Sequence, residues 1–405
     1  MKTLINVWGK RMKPRILRDG IYYVGAIDWD RRLFDELIPL PDGTSYNAYL
    51  VIGDEGTALI DTVDPTMTDT LVSNLRSMNV KHIDYIVANH AEQDHSGSLP
   101  ALLNLYPEAK VMATPRCKEM LIDLLLISED RIQTVRDGET LSLGNKTLEF
   151  IHFPWVHWPE TMLTYLREDA ILFSCDLFGS HFATSDLYAV DEAAVYEAAK
   201  RYYAEIMMPF RLVIQRNMEK ISNLKIDLIA PSHGPVYHKP SFIIEAYRDW
   251  IYNPPKNLAV IPYVSMHGST KAMVDYLVSA LIDRGVMAQQ FNLSRTDIGK
   301  LAIALVDAAT VIIGSPTVLG SLHPVAIYAA HLISALKPKI MFATLIGSYS
   351  WGTMVAQQVT QILSPLKVEF LEPVLVKGYP REETFRALDR LADEVSERHR
   401  KHGLT

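Results

Sequence analysis

Apolar residues fall into two kinds of pattern along the chain, and the pattern changes once. In the first part, short apolar runs each end near a turn or a polar cluster: Ala48–Ile52, Ala58–Asp61, Ile83–Ala88, Lys110–Ala113, Thr147–Phe153 and Ala170–Ser174. Runs of this length read as strands. Helical spacing intervenes at Met67–Met78 and Arg116–Leu125. The mixture predicts two sheets packed together and flanked by helices. Asn253-Pro254-Pro255-Lys256 then interrupts the pattern, its two prolines removing N–H donors and favouring extended chain. Beyond it, strand, loop and helix alternate. Strands are predicted at Leu258–Val264, Thr310–Gly314, Ile340–Gly347 and Lys367–Leu371, and helices at Thr270–Arg284, Pro324–Leu336, Thr353–Leu363 and Glu382–Arg400. In the first of these helices Met273, Leu277 and Leu281 recur every four residues and Gly285 is placed to end it. Such alternation predicts a doubly wound parallel sheet. Pro262 lies inside the first strand and predicts that it is short or distorted near its end. The expected domains are residues 1–253 and 254–405.

Composition narrows the class. The chain has 405 residues and a net charge of −7, which disfavours a nucleic-acid or anionic-membrane binder. Ala308–Leu336 and Ile340–Leu366 lack charged residues over lengths that would span a membrane. Each is broken by a polar loop, Gly314-Ser315-Pro316-Thr317 and Gly347-Ser348-Tyr349-Ser350-Trp351-Gly352, so each reads as buried strand, loop and helix. Cys117 and Cys175 are the two cysteines and no CxxC is present, which fits a cytoplasmic chain without a disulfide framework or a built-in rubredoxin module. Lys10, Arg11 and Lys13 are followed by no apolar run, so no signal peptide is expected.

The chemistry is concentrated in Asn89-His90-Ala91-Glu92-Gln93-Asp94-His95-Ser96-Gly97, which follows the run Ile83–Ala88. Four candidate ligands fall within six residues on a strand-to-helix loop, where rigid flanking elements can aim several side chains at one point. His157, Asp176 and His233 follow three further strand-like runs. Any one of them alone would be ordinary; together they predict a metal site.

These residues resemble the metallo-β-lactamase superfamily, whose zinc hydrolases carry HxHxDH. Here Glu92 stands where the second His would be. That departure is similar to the flavodiiron proteins, which join such a domain to a C-terminal flavodoxin domain. Tyr46-Asn47-Ala48-Tyr49-Leu50 and His157-Trp158-Pro159-Glu160 carry the same likeness. The resemblance implies an N-terminal αββα sandwich followed by a flavodoxin-like doubly wound sheet, α+β then α/β. It implies one iron on His90, Glu92 and His157, another on Asp94, His95 and His233, and Asp176 bridging them. Carboxylate in place of imidazole hardens the donor set, which suits iron. His181, five residues after Asp176, is expected near the open face, donating a hydrogen bond to bound dioxygen. His152 is expected to be packed, His238 peripheral, and Cys175 a small buried residue.

The second domain offers three loops at strand ends. Ser265-Met266-His267-Gly268-Ser269-Thr270 opens a helix and supplies hydroxyls and N–H groups for a phosphate, with no Lys or Arg and no Walker ending. Ser315-Pro316-Thr317-Val318-Leu319-Gly320 and Ser348-Tyr349-Ser350-Trp351-Gly352 follow the next strands, with Tyr349 and Trp351 suited to stacking beside a flavin ring. In a flavodoxin-like sheet these ends meet at the switch point, where FMN binds.

The resemblance therefore implies a flavoenzyme that reduces dioxygen to water, or nitric oxide to nitrous oxide. FMN would relay electrons to a diiron centre from an external donor, a rubredoxin or a reduced deazaflavin coenzyme. It also implies a head-to-tail homodimer or a dimer of dimers. The rival expectation is a dinuclear metal hydrolase with an appended flavodoxin domain.

Overall fold

The computed structural model describes residues 14–404, so Lys10, Arg11 and Lys13 lie outside the described residues. The chain divides into two compact units. One runs to Tyr203 and resumes over Phe210–Ile251; the other takes Ala204–Pro209 and the chain from Tyr252 onward.

The first unit is built on two sheets. One has seven strands in the order Arg15–Arg18, Ile21–Tyr23, Tyr49–Ile52, Thr57–Ile60, Tyr85–Val87, Lys110–Ala113 and Ile132–Thr134. The other has five, Thr140–Ser142, Thr147–His152, Met162–Leu166, Ile171–Cys175 and Leu228–Pro231. Strand side chains alternate between faces, and the core follows that rule. Tyr49, Val51, Ala58, Ile60, Val87 and Met112 pack with Leu148, Phe150, Met162, Leu166, Ile171 and Phe173 of the second sheet. The intervening Leu50, Leu59, Ile86, Val111 and Ala113 face the opposite way, onto Leu71, Leu75, Leu102 and Leu121 of the covering helices. This is the expected sandwich.

The second unit carries one sheet in the order Met287–Asn292, Lys256–Tyr263, Ala308–Val318, Phe342–Tyr349 and Glu369–Phe370, with Val374–Lys377 also paired to Phe342–Tyr349. These pairings are parallel. Pro262 does not shorten its strand, which runs eight residues between two neighbours. Val264 N–H donates to Gly314 O, so the donor missing at Pro262, two residues earlier, falls on that same side. One ladder bond is lost there while pairing continues through Tyr263. The expected loop at Ser315–Val318 is also strand: Ser315 and Pro316 still pair with Gly347 and Ser348, and Thr317–Val318 turn back on Ser321–Leu322. Among the described residues no helix is long and apolar enough to cross a membrane. Ala308–Leu336 resolves into the strand Ala308–Val318 and the helix Pro324–Leu336.

Candidate metal centre and flavin pocket

Each expected ligand follows a strand of the sandwich, and all seven converge. His90 lies just past Tyr85–Val87; Asp94 and His95 sit on the one-turn helix Gln93–Ser96; Asp176 follows Ile171–Cys175; His233 follows Leu228–Pro231; His157 lies between Thr147–His152 and Met162–Leu166. The loop is pinned from below. Asn89 N–H and its amide donate to the two oxygens of Asp61 at 2.8 and 2.9 Å, Thr164 Oγ1 donates to Asn89 Oδ1, and Thr62 Oγ1 donates to His95 O.

Two groups of ligand atoms result. His90 Nε2 stands 3.1 Å from Glu92 Oε2 and 3.5 Å from Asp176 Oδ2; His157 Nε2 stands 3.2 and 3.4 Å from the same two oxygens. His233 Nε2 stands 3.1 Å from Asp94 Oδ2 and 3.4 Å from Asp176 Oδ1; His95 Nε2 stands 3.5 Å from Asp94 Oδ1 and 3.1 Å from Asp176 Oδ1. Asp176 thus turns one oxygen to each group. Ligand atoms about 2.1 Å from a common cation lie about 3.0–3.4 Å from each other, so these separations fit metal holding.

Proton placement makes the same point. His90 Nδ1 donates to Glu160 Oε1 at 2.7 Å and His233 Nδ1 donates to Ser45 O at 2.7 Å. Rings so tied turn Nε2 toward the carboxylates, where a cation can take the place of the Nε2 proton. Asp94 Oδ1 and Oδ2, His95 Nε2 and Asp176 Oδ2 are buried without a hydrogen-bond partner. Burial works against charge on Asp176, but His95, His157 and His233 around it hold the carboxyl well below the usual range. The residues fit a diiron group.

His181 is buried at 6% exposure, with Nδ1 2.9 Å from Thr44 Oγ1 and Nε2 without a partner. Its ring centroid lies 5.0 Å from that of His233 and 4.9 Å from that of Tyr202. Burial, then the neighbouring His233, push its pKa well below the usual value, so it is neutral. His152 is a packed side chain whose Nε2 meets Val135 O at 3.1 Å, and His238 lies beside Tyr188. Cys175 is buried; it, Asp61 and His95 bring ligand-type atoms within 4.8 Å of one another. Burial raises the Cys175 thiol well above its usual value and Asn89 occupies both Asp61 oxygens, so that group reads as support.

Two residues of the site were not anticipated. Tyr202 OH donates to Asp176 Oδ1 at 2.7 Å. Asp35 turns at positive φ between the two-residue strands Leu33–Phe34 and Ile38–Pro39; burial, then Glu92 and Asp94, raise its pKa to about 6. Neither position follows a strand signal, and both arrive through long-range packing.

In the second unit a cleft of about 280 Å³ is lined by Ser265, Met266, His267, Ser269, Thr270, Pro316, Thr317, Ser348, Tyr349, Ser350, Trp351 and Gly378. The three loops therefore do meet. Gly268, Ser315, Val318, Leu319, Gly320 and Gly352 are not among the lining residues: Ser315 is buried with its Oγ on Pro316 O, and Leu319 points to solvent at 96% exposure. Gly378, on a fourth loop, is added. The helix Ser269–Asp283 opens on this cleft, preceded by Gly268 at φ 88°, and Ser265 Oγ accepts from the first-turn Lys271 N–H at 3.2 Å. Thr270 Oγ1 there is buried and without a partner. A helix start with a buried, unpaired hydroxyl beside it fits a phosphate, and Tyr349 with Trp351 fits the ring of FMN.

Comparison with known proteins agrees with this geometry. The family described as ODP family beta lactamase matches residues 44–234. A nitric oxide reductase of Moorella thermoacetica is 37% identical over 396 residues, covering 95% of this chain and 99% of that protein. Among solved structures, the rubredoxin oxygen:oxidoreductase of Desulfovibrio gigas superposes with a TM-score of 0.93 at 28% identity, covering 96% of this chain and 99% of that one. The flavodiiron protein of Giardia intestinalis gives 0.90 at 28% identity, covering 96% and 98%. A two-cation carboxylate–histidine centre on a sandwich, followed by a flavin cleft on a doubly wound sheet, defines a two-cofactor oxidoreductase. The chain belongs to the flavodiiron protein family.

Proposed function

We propose that this chain reduces dioxygen to water, and nitric oxide to nitrous oxide, as an FMN- and diiron-dependent oxidoreductase. The observation that carries the reading is Asp176, whose two oxygens face two groups of candidate ligand atoms. Bound there, the iron pair would supply two electrons and the flavin two more, the four that dioxygen needs to reach two waters. His90, Glu92 and His157 would hold one iron, and Asp94, His95 and His233 the other. Ser265, Ser269 and Thr270 take the FMN phosphate, and Tyr349 and Trp351 flank its ring.

The surrounding residues act on binding and protons. Glu160 and Ser45 fix the His90 and His233 rings with Nε2 inward. Tyr202 holds Asp176 at the angle that serves both groups. His181 stays neutral and keeps Nε2 free of protein partners, so this nitrogen is the hydrogen-bond donor we assign to the diatomic substrate when Thr44 takes Nδ1. The hydrolase reading finds no support in relatives that match both units.

Dioxygen is the substrate we favour. The donor is a small external carrier; the name of the Desulfovibrio relative supports a rubredoxin, with a reduced deazaflavin coenzyme as the other candidate. We also propose a cytoplasmic head-to-tail homodimer or dimer of dimers. The test is steady-state turnover of the iron- and FMN-loaded chain with each gas and each reduced donor. Faster turnover with dioxygen is expected. Turnover with nitric oxide alone would reverse the substrate order, and turnover with neither would remove the proposal.

A further inference from the structure

Behind Asp176 the first unit holds a run of oxidisable side chains that the reduction itself does not require. Tyr202 donates to Asp176 Oδ1 at 2.7 Å. Its ring lies against Gly179, where an added Cβ would sit 3.3 Å from the ring. The preceding residue, Phe178, meets Tyr247 edge-on, with ring centroids 4.8 Å apart, and its N–H donates to Tyr247 OH. Tyr247 lies 5.2 Å from Trp250, and Tyr203, next in sequence to Tyr202, lies 5.4 Å from Tyr247 and 5.2 Å from Trp250. Trp250 lies 5.4 Å from Tyr196 and its indole N–H donates to Tyr196 OH at 3.1 Å. Tyr202, Tyr203, Tyr247 and Trp250 are at most 2% exposed, whereas Tyr196 is half-buried and reaches the surface.

Packing alone does not ask for these residue types. A buried hydroxyl or indole N–H costs free energy unless it is paired, and Phe or Leu would fill the same space without that demand. The chain instead places phenols and an indole, joined by Gly179 and Phe178 between Tyr202 and Tyr247, from a metal-facing carboxylate to the surface.

We propose that Tyr202, Tyr247, Trp250 and Tyr196 form a hole-transfer route that protects the diiron site when dioxygen has taken fewer than four electrons. This rests on the oxidase reading above. Partly reduced oxygen in the site takes one electron from Tyr202, whose phenolic proton shifts along its hydrogen bond toward Asp176. Tyr247, relayed by Trp250, returns an electron to Tyr202, and the proton moves back. The vacancy ends on Tyr196, which releases its phenolic proton to water. A soluble thiol of the glutathione class then gives Tyr196 one electron, and a proton from water restores the phenol. The net step is one electron delivered to the oxygen species, which takes its proton from water, and one thiol oxidised to a thiyl radical with its proton released to water; two thiyl radicals couple to a disulfide.

The experiment mixes the iron- and FMN-loaded full chain, reduced by fewer than four electrons, with dioxygen and freezes it. Electron paramagnetic resonance then reads organic radicals, using ring-deuterated tyrosine and tryptophan to assign them. A tyrosyl signal that reaches Tyr196 in the parent protein is expected. Tyr196→Phe, which removes only a half-buried hydroxyl, should leave the steady-state oxidase rate unchanged and hold the radical on Trp250. It should lower the number of turnovers before inactivation several-fold and add oxygen to Trp250 in peptide maps. Trp250→Phe should stop the signal at Tyr247. Dioxygen consumption without any organic radical, or with the same radical and survival in Tyr196→Phe, overturns the route while the oxidase reading stands. No dioxygen consumption by the parent overturns both.

Discussion

Glu160 holds His90 through a 2.7 Å hydrogen bond to Nδ1 and also accepts from Ala91 N–H at 3.0 Å, so one carboxylate orients both the ring and the backbone that bears it. A carboxylate can only accept here, which keeps the proton on Nδ1 and the lone pair on Nε2. Glu160→Gln introduces a donor at that point and permits the opposite tautomer. Removing such a supporting partner typically weakens metal binding about 10–100-fold, and that loss is expected here, read by competition with a chelator while far-ultraviolet circular dichroism stays unchanged. The seven candidate ligands were legible because they cluster on loops that follow strand-like runs, so local pattern and chemistry coincide. Glu160 was visible only as part of a motif. Tyr202 and Asp35 were not visible, because what brings them to the site is the packing of a helix and of a two-residue hairpin, which leave no spacing signature.

At the scale of elements, apolar runs located most strands but not the polar ones. Met287–Asn292 reads Met-Ala-Gln-Gln-Phe-Asn and lies at the edge of its sheet, largely exposed, so it carries no buried-strand pattern. Val374–Lys377 is short and only half-buried. The same sheet explains why the flavin loops are where they are. Gly347 packs so closely on its neighbour that a Cβ there would lie 2.1 Å from Ser315 O. Both atoms belong to paired strands, so neither can give way cheaply. Gly347→Ala is expected to destabilise the second unit by about 1–3 kcal/mol and to lower FMN retention, measured by denaturant unfolding and bound-flavin content. The C-terminal helix Glu382–Lys401 adds a pH-dependent contact. His399 is buried between Thr310 Oγ1, 2.7 Å from Nε2, and Asn257 Oδ1, 2.8 Å from Nδ1. Burial, then His402, lower its pKa to about 4. The unfolded chain takes up that proton near pH 6.5, the folded chain only near 4. Stability from neutral His399 is therefore complete above about pH 6.5 and is lost as pH falls toward 4. Thermal unfolding followed by FMN release should show this slope, and His399→Gln should flatten it; an unchanged slope would assign it to other groups.

The whole molecule combines two units of different architecture, each with a site that its own strand ends create. In the sandwich, metal-facing side chains come from loops after strands of both sheets, and the period-two alternation of those strands sets the core beneath them. In the doubly wound sheet, the cleft forms where the loops after successive parallel strands meet. The order of patterns along the sequence made both architectures legible. The exact cleft lining was not, because Ala308–Val318 stays in the sheet past Gly314 and carries Ser315 out of the pocket. On this reading Asp176 joins two cation sites, and these hold iron. The most direct measurement is the iron, zinc and FMN content of the chain produced in iron-replete medium and purified without oxygen, beside Asp176→Asn. From seven ligands of mixed imidazole and carboxylate, about two irons and one FMN per chain are expected, with iron alone lost in the variant. Zinc in both positions under those conditions, or full iron retention in Asp176→Asn, would show that Asp176 does not join two iron sites.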